Sequence, residues 1–201
     1  MRRMQDHYGK KAKAMGYPAR SVFKLEEIIS KFNLIPARSR ILDVGAAPGS
    51  FSMFLLEKLA GKGAVVAVDL AASVSVPEMH KNFTYICGDI TDPGTQQKLT
   101  EAGPYDVIVS DAAPATTGQR EIDTLASMAL AESVLHLAEQ SLKKHGNFAV
   151  KIFQGAGEAE YLKGLRTRFE KVKGFKPQAS RKESFETYYI GLGFLGKKQD
   201  S

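Results

Sequence analysis

Short apolar runs rich in β-branched residues alternate along this chain with stretches of helical periodicity. Such an alternation is typical of a parallel sheet with helices on both faces, and continuous apolar runs suit strands that are buried on both sides. We therefore expect a doubly wound α/β fold. The pattern predicts strands at residues 40–46, 64–69, 83–88, 105–110, 147–153 and 187–193, and helices at residues 21–32, 50–59, 96–102, 121–144 and 158–173.

Two of these helices carry local signals at their ends. Ser21 precedes the first helix and is a residue type that caps helix N-termini. His145 and Gly146 follow residues 121–144, where lysines occupy the last turn. A glycine just beyond a cationic last turn is a common stop signal, so we expect this helix to end there.

Composition limits the class of protein and its location. The chain has 201 residues, of which 43% are hydrophobic and 25% charged, as in a soluble globular domain. No apolar run approaches the roughly 18 residues that a membrane span needs, and the first residues lack the apolar core of a secretory signal. Cys87 is the one cysteine, which fits a reducing compartment and leaves no cysteine-based zinc site. We expect a cytoplasmic monomer without a membrane partner, with residues 1–201 forming a single domain.

The net charge of +6 is concentrated at one end of the chain. Residues 1–24 carry seven lysines and arginines against one acidic residue, so the rest of the chain is neutral overall. Such a segment can follow a nucleic-acid backbone or form a solvated tail, and charge alone favours neither. We expect a basic RNA-binding appendage at about residues 1–35. Its candidate contacts are Arg2, Arg3, Lys10, Lys11, Lys13 and Arg20, joined by Arg181 from a later basic stretch.

The strongest local motif is the glycine turn Leu42-Asp-Val-Gly-Ala-Ala-Pro-Gly-Ser-Phe51, where the first strand ends and a helix begins. Gly45 and Gly49 let the backbone approach a ligand closely. Asp69 ends the second strand and Asp89 follows the third, so three strand ends supply polar groups to one rim. In nucleotide-type folds, an acidic residue at the position of Asp69 binds ribose hydroxyls. Asp89 is within reach of an adenine amino group.

Two other readings of the glycine turn stay open at this point. It could be a plain strand–turn–helix junction, or it could bind a nicotinamide cofactor. The turn lacks the full Gly-x-Gly-x-x-Gly pattern, because Ala47 stands at the second glycine position. Together with the acids on the next two strands, this favours an adenosyl ligand.

Two further strands carry charged residues in or just after their apolar runs. Asp111 follows the fourth strand, and Lys151 lies within the fifth. A lysine in an apolar strand is unusual, because its ammonium group is costly to bury without a partner. Neighbouring strand ends could bring Asp111 and Lys151 together, either as a structural ion pair or in an active site.

With these motifs the chain resembles the FtsJ/RrmJ family of RNA ribose 2′-O-methyltransferases. The resemblance runs over about residues 7–195, and five motifs in order are far more specific than any one of them. The motifs are Ala19-Arg-Ser-Val-Phe-Lys-Leu-Glu-Glu27, Asp43-Val-Gly-Ala-Ala-Pro-Gly49, Ser110-Asp-Ala-Ala-Pro114, Lys151-Ile-Phe-Gln-Gly155 and Ser184-Phe-Glu-Thr-Tyr-Tyr189. One departure is Gly49-Ser50-Phe51, where family members often have Gly-Gly-Trp.

The resemblance implies a Rossmann-like class I methyltransferase fold. Its sheet has seven mostly parallel strands in the order 3-2-1-4-5-7-6, with the last strand antiparallel. The implied cofactor is S-adenosylmethionine, the product S-adenosylhomocysteine, and no metal ion is required. The implied cofactor-binding residues are Gly49, Phe51, Asp69, Asp89 and Asp111, to which the glycine turn adds Gly45. The family's Lys-Asp-Lys-Glu catalytic set maps onto Lys24, Asp111, Lys151 and Glu186, called the tetrad below.

The tetrad suits the methylation of a hydroxyl group. A ribose hydroxyl is a poor nucleophile and must lose its proton as it attacks the sulfonium methyl. A lysine accepts that proton only when neutral, and burial or a second cation lowers its reference pKa of about 10.4. We assign Lys151 as the proton acceptor, Lys24 as the second cation and a substrate-positioning group, and Asp111 and Glu186 as orienting groups.

The compact form of the chain resembles the bacterial and organellar family members that modify a uridine of large-subunit ribosomal RNA. The expected partner is this RNA or the assembled large ribosomal subunit. Relatives acting on tRNA or on mRNA caps share the tetrad, so a tRNA substrate stays open. The intact tetrad disfavours a non-catalytic RNA-binding or ribosome-assembly factor. The incomplete glycine pattern disfavours a nicotinamide-dependent oxidoreductase.

Overall fold

The computed structural model describes residues 2–76, 81–181 and 183–196, with side chains from residue 7 onwards. Its helices are α1 (Arg2–Ala14), α2 (Val22–Phe32), α3 (Ser50–Leu59), α4 (Pro93–Glu101), α5 (Arg120–Ser141) and α6 (Glu158–Arg166). Its strands are β1 (Arg40–Val44), β2 (Ala64–Asp69), β3 (Phe83–Cys87), β4 (Tyr105–Ser110), β5 (Leu142–Phe153), β6 (Phe169–Phe175) and β7 (Glu186–Phe194).

Within the described residues, the strands form one seven-stranded sheet in the order β3-β2-β1-β4-β5-β7-β6. Neighbouring strands from β3 to β5 run parallel, whereas β7 is antiparallel to both β5 and β6. The predicted fold class, strand order and antiparallel last strand are confirmed. The strand order reverses between β1 and β4, and ligands of such sheets bind at the carboxyl ends of the strands that meet there.

The prediction of one helix over residues 158–173 is wrong. α6 ends at Arg166, and Phe169–Phe175 forms β6 at the edge of the sheet. The apolar residues of this segment recur at every third position, a spacing that also fits a helix. Pairing with β7 favours a strand over a helix here, because in the strand the Phe169 side chain is buried to 2% exposure.

Both helix-end signals also mislead. The long helix does not reach His145 and Gly146, because α5 ends at Ser141 and Leu142 already belongs to β5. Leu142 is 7% exposed and pairs with β4, so burying its apolar side chain in the sheet outweighs another helical turn. Ser21 does occupy the N-cap position of α2, but its backbone is helical and its side chain makes no capping hydrogen bond.

Two apolar clusters cover the two faces of the sheet. On one face α4, α5 and α6 pack against strand residues such as Phe148 and Tyr189. On the other face α2 and α3 pack against strand residues such as Ala149 and Tyr188. Consecutive residues thus point to opposite clusters, which is the two-residue period of a strand buried on both sides. This period decides which strand side chains can meet α2.

The basic N-terminal segment is packed against the rest of the fold rather than detached from it. Ala12, Tyr17 and Phe23 share an apolar cluster with Ala179 of the β6–β7 connection. The Tyr17 hydroxyl also donates a hydrogen bond to the Glu57 carboxylate on α3. A solvated tail therefore does not describe the segment from Ala12 onwards. The division into a single domain over 1–201 and an appendage at about 1–35 stays a prediction.

α5 is the longest of the described helices, with 22 residues. Glutamate, aspartate and serine residues occur along its length. Among the residues that the structure describes, no helix is both long enough and apolar enough to cross a membrane.

A substitution in α2 tests whether this helix belongs to the core. Ile28 is fully buried in the cluster under α2, whereas Ser30 on the same helix is exposed. Ile28→Ala should lower the free energy of unfolding by about 2–5 kcal/mol, because it leaves a cavity against the sheet. The control Ser30→Ala should change it by less than about 0.5 kcal/mol. Urea denaturation followed by circular dichroism measures both, and equally small effects would contradict the packing described.

Candidate active site

The pairing of β5 with β7 places three polar side chains on one face of the sheet. Lys151 lies opposite Tyr188, and Phe153, two residues later in β5, lies opposite Glu186, two residues earlier in β7. Residues two apart in a strand share a face, and Tyr188 belongs to the cluster under α2. Lys151, Tyr188 and Glu186 therefore face the helix that carries Lys24.

The structure brings the four residues of the tetrad together at this point. Lys151 Nζ lies 2.9 Å from Asp111 Oδ1 and also donates a hydrogen bond to the backbone oxygen of Asp111 at 2.5 Å. Lys24 Nζ lies 2.7 Å from Glu186 Oε1 and 3.9 Å from Asp111 Oδ1. Two ammonium groups thus share the Asp111 carboxylate, and Glu186 supplies the second negative charge.

Little water reaches this cluster of charges. The side chains of Lys24 and Lys151 are 9% and 7% exposed, and that of Asp111 is 16% exposed. Burial alone raises the pKa of Asp111, but the Lys151 and Lys24 ammonium groups outweigh burial and hold this pKa below the ordinary value. Asp111 is therefore ionised at neutral pH and provides a permanent counter-charge for the two lysines.

Tyr188 adds a fifth group to the cluster, and the sequence reasoning assigned it no role. Its hydroxyl donates a hydrogen bond to Asp111 Oδ1 at 2.5 Å, and the residue is 1% exposed. Burial and the neighbouring Asp111 charge raise the pKa of Tyr188 well above its ordinary value, so it stays a proton donor. Tyr189 faces the other side of the sheet, where its hydroxyl donates to Glu158 at 2.6 Å. The strand register separates the two tyrosines, which the motif alone could not do.

The glycine turn at the end of β1 has two positions that exclude other residues. Gly45 has a φ of +76°, and a Cβ there would lie 2.5 Å from the Ala112 Cα, just beyond β4. Gly49 has a φ of +115°, and a Cβ there would lie 3.1 Å from the Ser75 nitrogen. Gly49 is also the N-cap of α3 and offers no capping side chain, so the first N–H groups of α3 suit an anionic ligand group.

Asp69 and Asp89 lie at the neighbouring strand ends, as predicted. Asp69 accepts hydrogen bonds from the backbone nitrogens of Ala47 and Ala71, both at 2.9 Å. Each of its oxygens can accept a further hydrogen bond, as ribose hydroxyls would require. Asp89 is exposed, and its Oδ1 accepts from the nitrogen and hydroxyl of Thr91, both at 2.8 Å. The backbone bond from Thr91 holds the pKa of Asp89 below its ordinary value.

Asp43 in β1 is a buried carboxyl group to which the sequence reasoning gave no role. Its Oδ2 accepts a hydrogen bond from the Ser52 hydroxyl at 2.7 Å, and its Oδ1 has no partner in the structure. Burial raises the pKa of Asp43 to about 7, the charges of Asp111 and Asp69 add to this, and the Ser52 hydrogen bond opposes it. Near neutral pH this carboxyl is therefore divided between its protonated and ionised forms.

Phe51, a predicted cofactor-binding residue, lies at the start of α3 with its side chain in the core. It is 4% exposed and belongs to the cluster under α2. A direct contact of its ring with a ligand stays a prediction.

The predicted RNA-binding residues fall into two groups. Arg20 and Arg181 line an open cleft of about 540 Å³ next to the tetrad, whose Lys24 and Glu186 are also part of the lining. On α1, Lys11 Nζ lies 4.6 Å from the centre of the Phe23 ring. The remaining candidates on α1 are Lys10 and Lys13, which are exposed, and Arg2 and Arg3, whose side chains lie outside the described residues.

Among the residues that the structure describes, no group of three or more histidine, cysteine, aspartate or glutamate residues is placed to hold a metal ion.

Most of the chain matches a known protein family. The family model of FtsJ-like methyltransferases matches residues 17–194. The Ribosomal RNA large subunit methyltransferase E of Treponema denticola is 48% identical over 192 residues, which cover 95% of this chain and 96% of the relative. The enzyme of the same name from Oleidesulfovibrio alaskensis is 44% identical over 198 residues, covering 98% and 95%.

A solved structure is similar over the same length. It is a crystal structure of a Plasmodium falciparum protein assigned as a ribosomal RNA methyltransferase. It is 28% identical, with a TM-score of 0.79, and the match covers 90% of this chain and 100% of that one. The sheet and its covering helices are thus shared with a protein of that description.

The buried Asp43 carboxyl predicts a pH-dependent stability of the ligand-free protein. The pKa of this carboxyl is raised on folding. Its contribution to the free energy of unfolding is therefore fully present below about pH 4 and is lost as the pH rises through about 7. Asp43→Asn keeps a hydrogen-bond acceptor for Ser52 and cannot ionise. It should therefore stabilise the protein at pH 8 by up to about 4 kcal/mol and have little effect at pH 4.

Urea midpoints at pH 4, 6 and 8 measure this difference. The exposed Glu101→Gln is the matched control, and its stability should follow the wild-type protein at each pH. If Asp43→Asn is no more stable than the wild type at pH 8, ionisation of Asp43 does not destabilise the folded protein, which would contradict this prediction.

Proposed function

Because the chain belongs to the FtsJ-like methyltransferase family, we propose that it methylates a ribose 2′-hydroxyl of large-subunit ribosomal RNA. The observation that carries the proposal is the shared carboxylate of Asp111, which holds Lys24 and Lys151 at the carboxyl end of β4. That position is where ligands of doubly wound sheets bind. We further propose a uridine as the target nucleoside, and a cytoplasmic monomer that needs no metal ion.

The residues at the ends of β1, β2 and β3 suit S-adenosylmethionine. The glycine turn and the uncapped start of α3 fit the carboxylate of its methionine part. Asp69 has acceptor capacity for its ribose hydroxyls, and Asp89 for its adenine amino group. When bound, this cofactor supplies a methyl group on a positively charged sulfur, and the transfer leaves S-adenosylhomocysteine.

Lys151 is the group that removes the proton from the 2′-hydroxyl. Once Lys151 has lost its own proton to solvent, its neutral Nζ would accept the hydroxyl proton as the hydroxyl oxygen bonds to the methyl carbon and the methyl–sulfur bond breaks. The side chain is 7% exposed, so few water molecules compete for the hydroxyl. Its contacts with the Asp111 backbone oxygen at 2.5 Å and with the Asp111 carboxylate at 2.9 Å hold the nitrogen in place. The resulting ammonium group has that carboxylate as its counter-charge.

The other three tetrad residues orient Lys151 and the substrate. Asp111 is held by Tyr188 and by two lysines, so its carboxylate cannot rotate freely. Glu186 pairs with Lys24, and both line the cleft through which a nucleotide would reach Lys151. Lys24 therefore lies on the substrate side of the cluster, where its ammonium group would help to position an incoming nucleotide.

The choice of ribosomal RNA as substrate rests on the relatives and on charge. The curated relatives are named for large-subunit ribosomal RNA and match the chain over nearly their full length. Arg20 and Arg181 line the cleft beside the tetrad, and guanidinium groups pair well with RNA phosphates.

The proposal is tested with large ribosomal subunits from cells that lack this protein. They are incubated with the purified chain and methyl-labelled S-adenosylmethionine, and the RNA is digested to nucleosides. Label in 2′-O-methyluridine supports the proposal. Bulk tRNA is tested in parallel, and label that appears only in tRNA would show that tRNA rather than ribosomal RNA is the substrate. Label on a base would contradict ribose methylation, and no label with intact cofactor binding would point to an RNA-binding factor.

Substitution of Lys151 tests the proton acceptor. Lys151→Met removes the ammonium group and keeps the length of the side chain, so kcat should fall at least about 100-fold, the usual contribution of a general base. S-Adenosylmethionine binding, measured by calorimetry, should stay close to that of the wild type. Lys171→Met, at an exposed position of β6, is the control and should leave kcat unchanged. Normal turnover by the Lys151→Met protein would rule out Lys151 as the base.

A further inference from the structure

The cleft beside the tetrad contains a third arginine, which the proposed mechanism does not use. Arg120 lines this cleft together with Arg20 and Arg181. It is the first residue of α5 and was not among the predicted RNA-binding residues. The inference that follows rests on the proposed function, because it assigns Arg120 a part in binding the same substrate.

The charge of Arg120 is available to a ligand. The residue is exposed, and within the described part of the chain no ion pair joins Arg120 or Arg20 to a carboxylate. Burial and the nearby Arg181 charge lower the pKa of Arg20, while Glu186 acts in the opposite direction. Arg20 and Arg181 are thus close enough to repel each other, and Arg120 lines the same cleft. A positive cluster of this kind attracts an anion, and RNA presents a phosphate at every nucleotide.

An aromatic side chain holds the Arg120 guanidinium in position. The centre of this group lies 5.4 Å from the centre of the Phe185 ring, within the range of a cation–π contact. The Phe185 ring in turn packs edge to face against Phe153, at 4.7 Å between ring centres. Phe153 ends β5 and is 8% exposed, so the aromatic pair is anchored in the sheet.

The backbone before Arg120 is fixed as well. The buried Asp123 on α5 accepts hydrogen bonds from the backbone nitrogens of Thr117 and Gly118, at 2.7 and 3.2 Å. These bonds fold the β4–α5 connection back onto the start of α5. The backbone that leads into Arg120 is therefore fixed, and the Phe185 ring restricts the guanidinium group, so less conformational entropy is lost on binding than for a free arginine.

We propose that Arg120 is a substrate-binding residue that pairs with a phosphodiester group next to the methylated ribose. Phe185 is a positioning residue that acts through Arg120. The guanidinium group presents N–H groups in a planar fork that matches two phosphate oxygens, and its contact with a ring leaves the edge of the fork open. Because Arg120 and Lys24 line the same cleft, this contact sets the RNA backbone relative to the tetrad.

RNA binding by the full chain tests the role of Arg120. The probe is a fluorescein-labelled single-stranded RNA of about 12 nucleotides, titrated at roughly 50 to 300 mM KCl. Arg120→Ala should weaken binding roughly tenfold at the lowest salt and reduce the slope of log K against log salt by about 0.7. Arg166→Ala, an exposed arginine at the end of α6, is the matched control and should bind like the wild type.

Two further variants separate charge, fork geometry and ring contact. Arg120→Lys keeps the charge and loses the fork, so it should retain the wild-type salt slope with weaker binding. Phe185→Leu keeps an apolar side chain and should weaken binding only while Arg120 is present. The double variant Arg120→Ala/Phe185→Leu should then bind like Arg120→Ala alone. Additive losses in the double variant would overturn the positioning role of Phe185.

The outcomes distinguish this inference from the proposed function. An Arg120→Ala protein with wild-type affinity and salt slope would overturn the phosphate contact, even if the wild type methylates ribosomal RNA. A wild-type protein that methylates no ribosomal RNA would overturn the proposed function. In that case a loss of binding and of salt slope in Arg120→Ala would still support the phosphate contact.

Discussion

The Asp111 carboxylate is the charge on which the whole site depends. Two ammonium groups from different parts of the chain lie within 4.0 Å of it, and both belong to side chains that water hardly reaches. Leaving a buried charge without its partner typically costs about 3–5 kcal/mol, so a charged Lys151 depends on the ionised Asp111, whereas Lys24 also pairs with Glu186. Tyr188 donates to the same oxygen and fixes its direction. One carboxylate thereby ties α2, β5 and β7 to the end of β4.

The topology of the sheet explains why these groups can meet. β4 and β5 are parallel, so the ends of both strands reach the same rim, and β7 enters the sheet antiparallel with its first residue at that rim. The glycine turn lies on the adjacent β1, where Gly45 allows the backbone to approach Ala112 closely. The proposed cofactor-binding residues and the tetrad therefore occupy neighbouring strand ends, and the arginine-lined cleft opens beside Lys24.

Much of this arrangement could be predicted from the sequence, because periodicity and strand-end acids are local signals. Apolar runs located every strand except β6, whose three-residue spacing also fits a helix until β7 pairs with it. Lys24 needed the family resemblance, since nothing local indicates that a helix before β1 reaches the rim. Tyr188 needed the β5–β7 register, and Arg120 needed its contact with Phe185, which is distant in sequence. Contacts between remote segments are set by tertiary packing, and no single stretch of sequence records them.

The most direct test is the single-turnover rate of methyl transfer by Asp111→Asn at saturating S-adenosylmethionine and RNA. The account predicts a loss of at least about 100-fold, because the amide cannot balance the two lysines, whereas Asp106→Asn at the other end of β4 should retain the wild-type rate. Urea midpoints confirm that both variants are folded. A folded Asp111→Asn protein with the wild-type rate would contradict the claim that this carboxylate organises the active site.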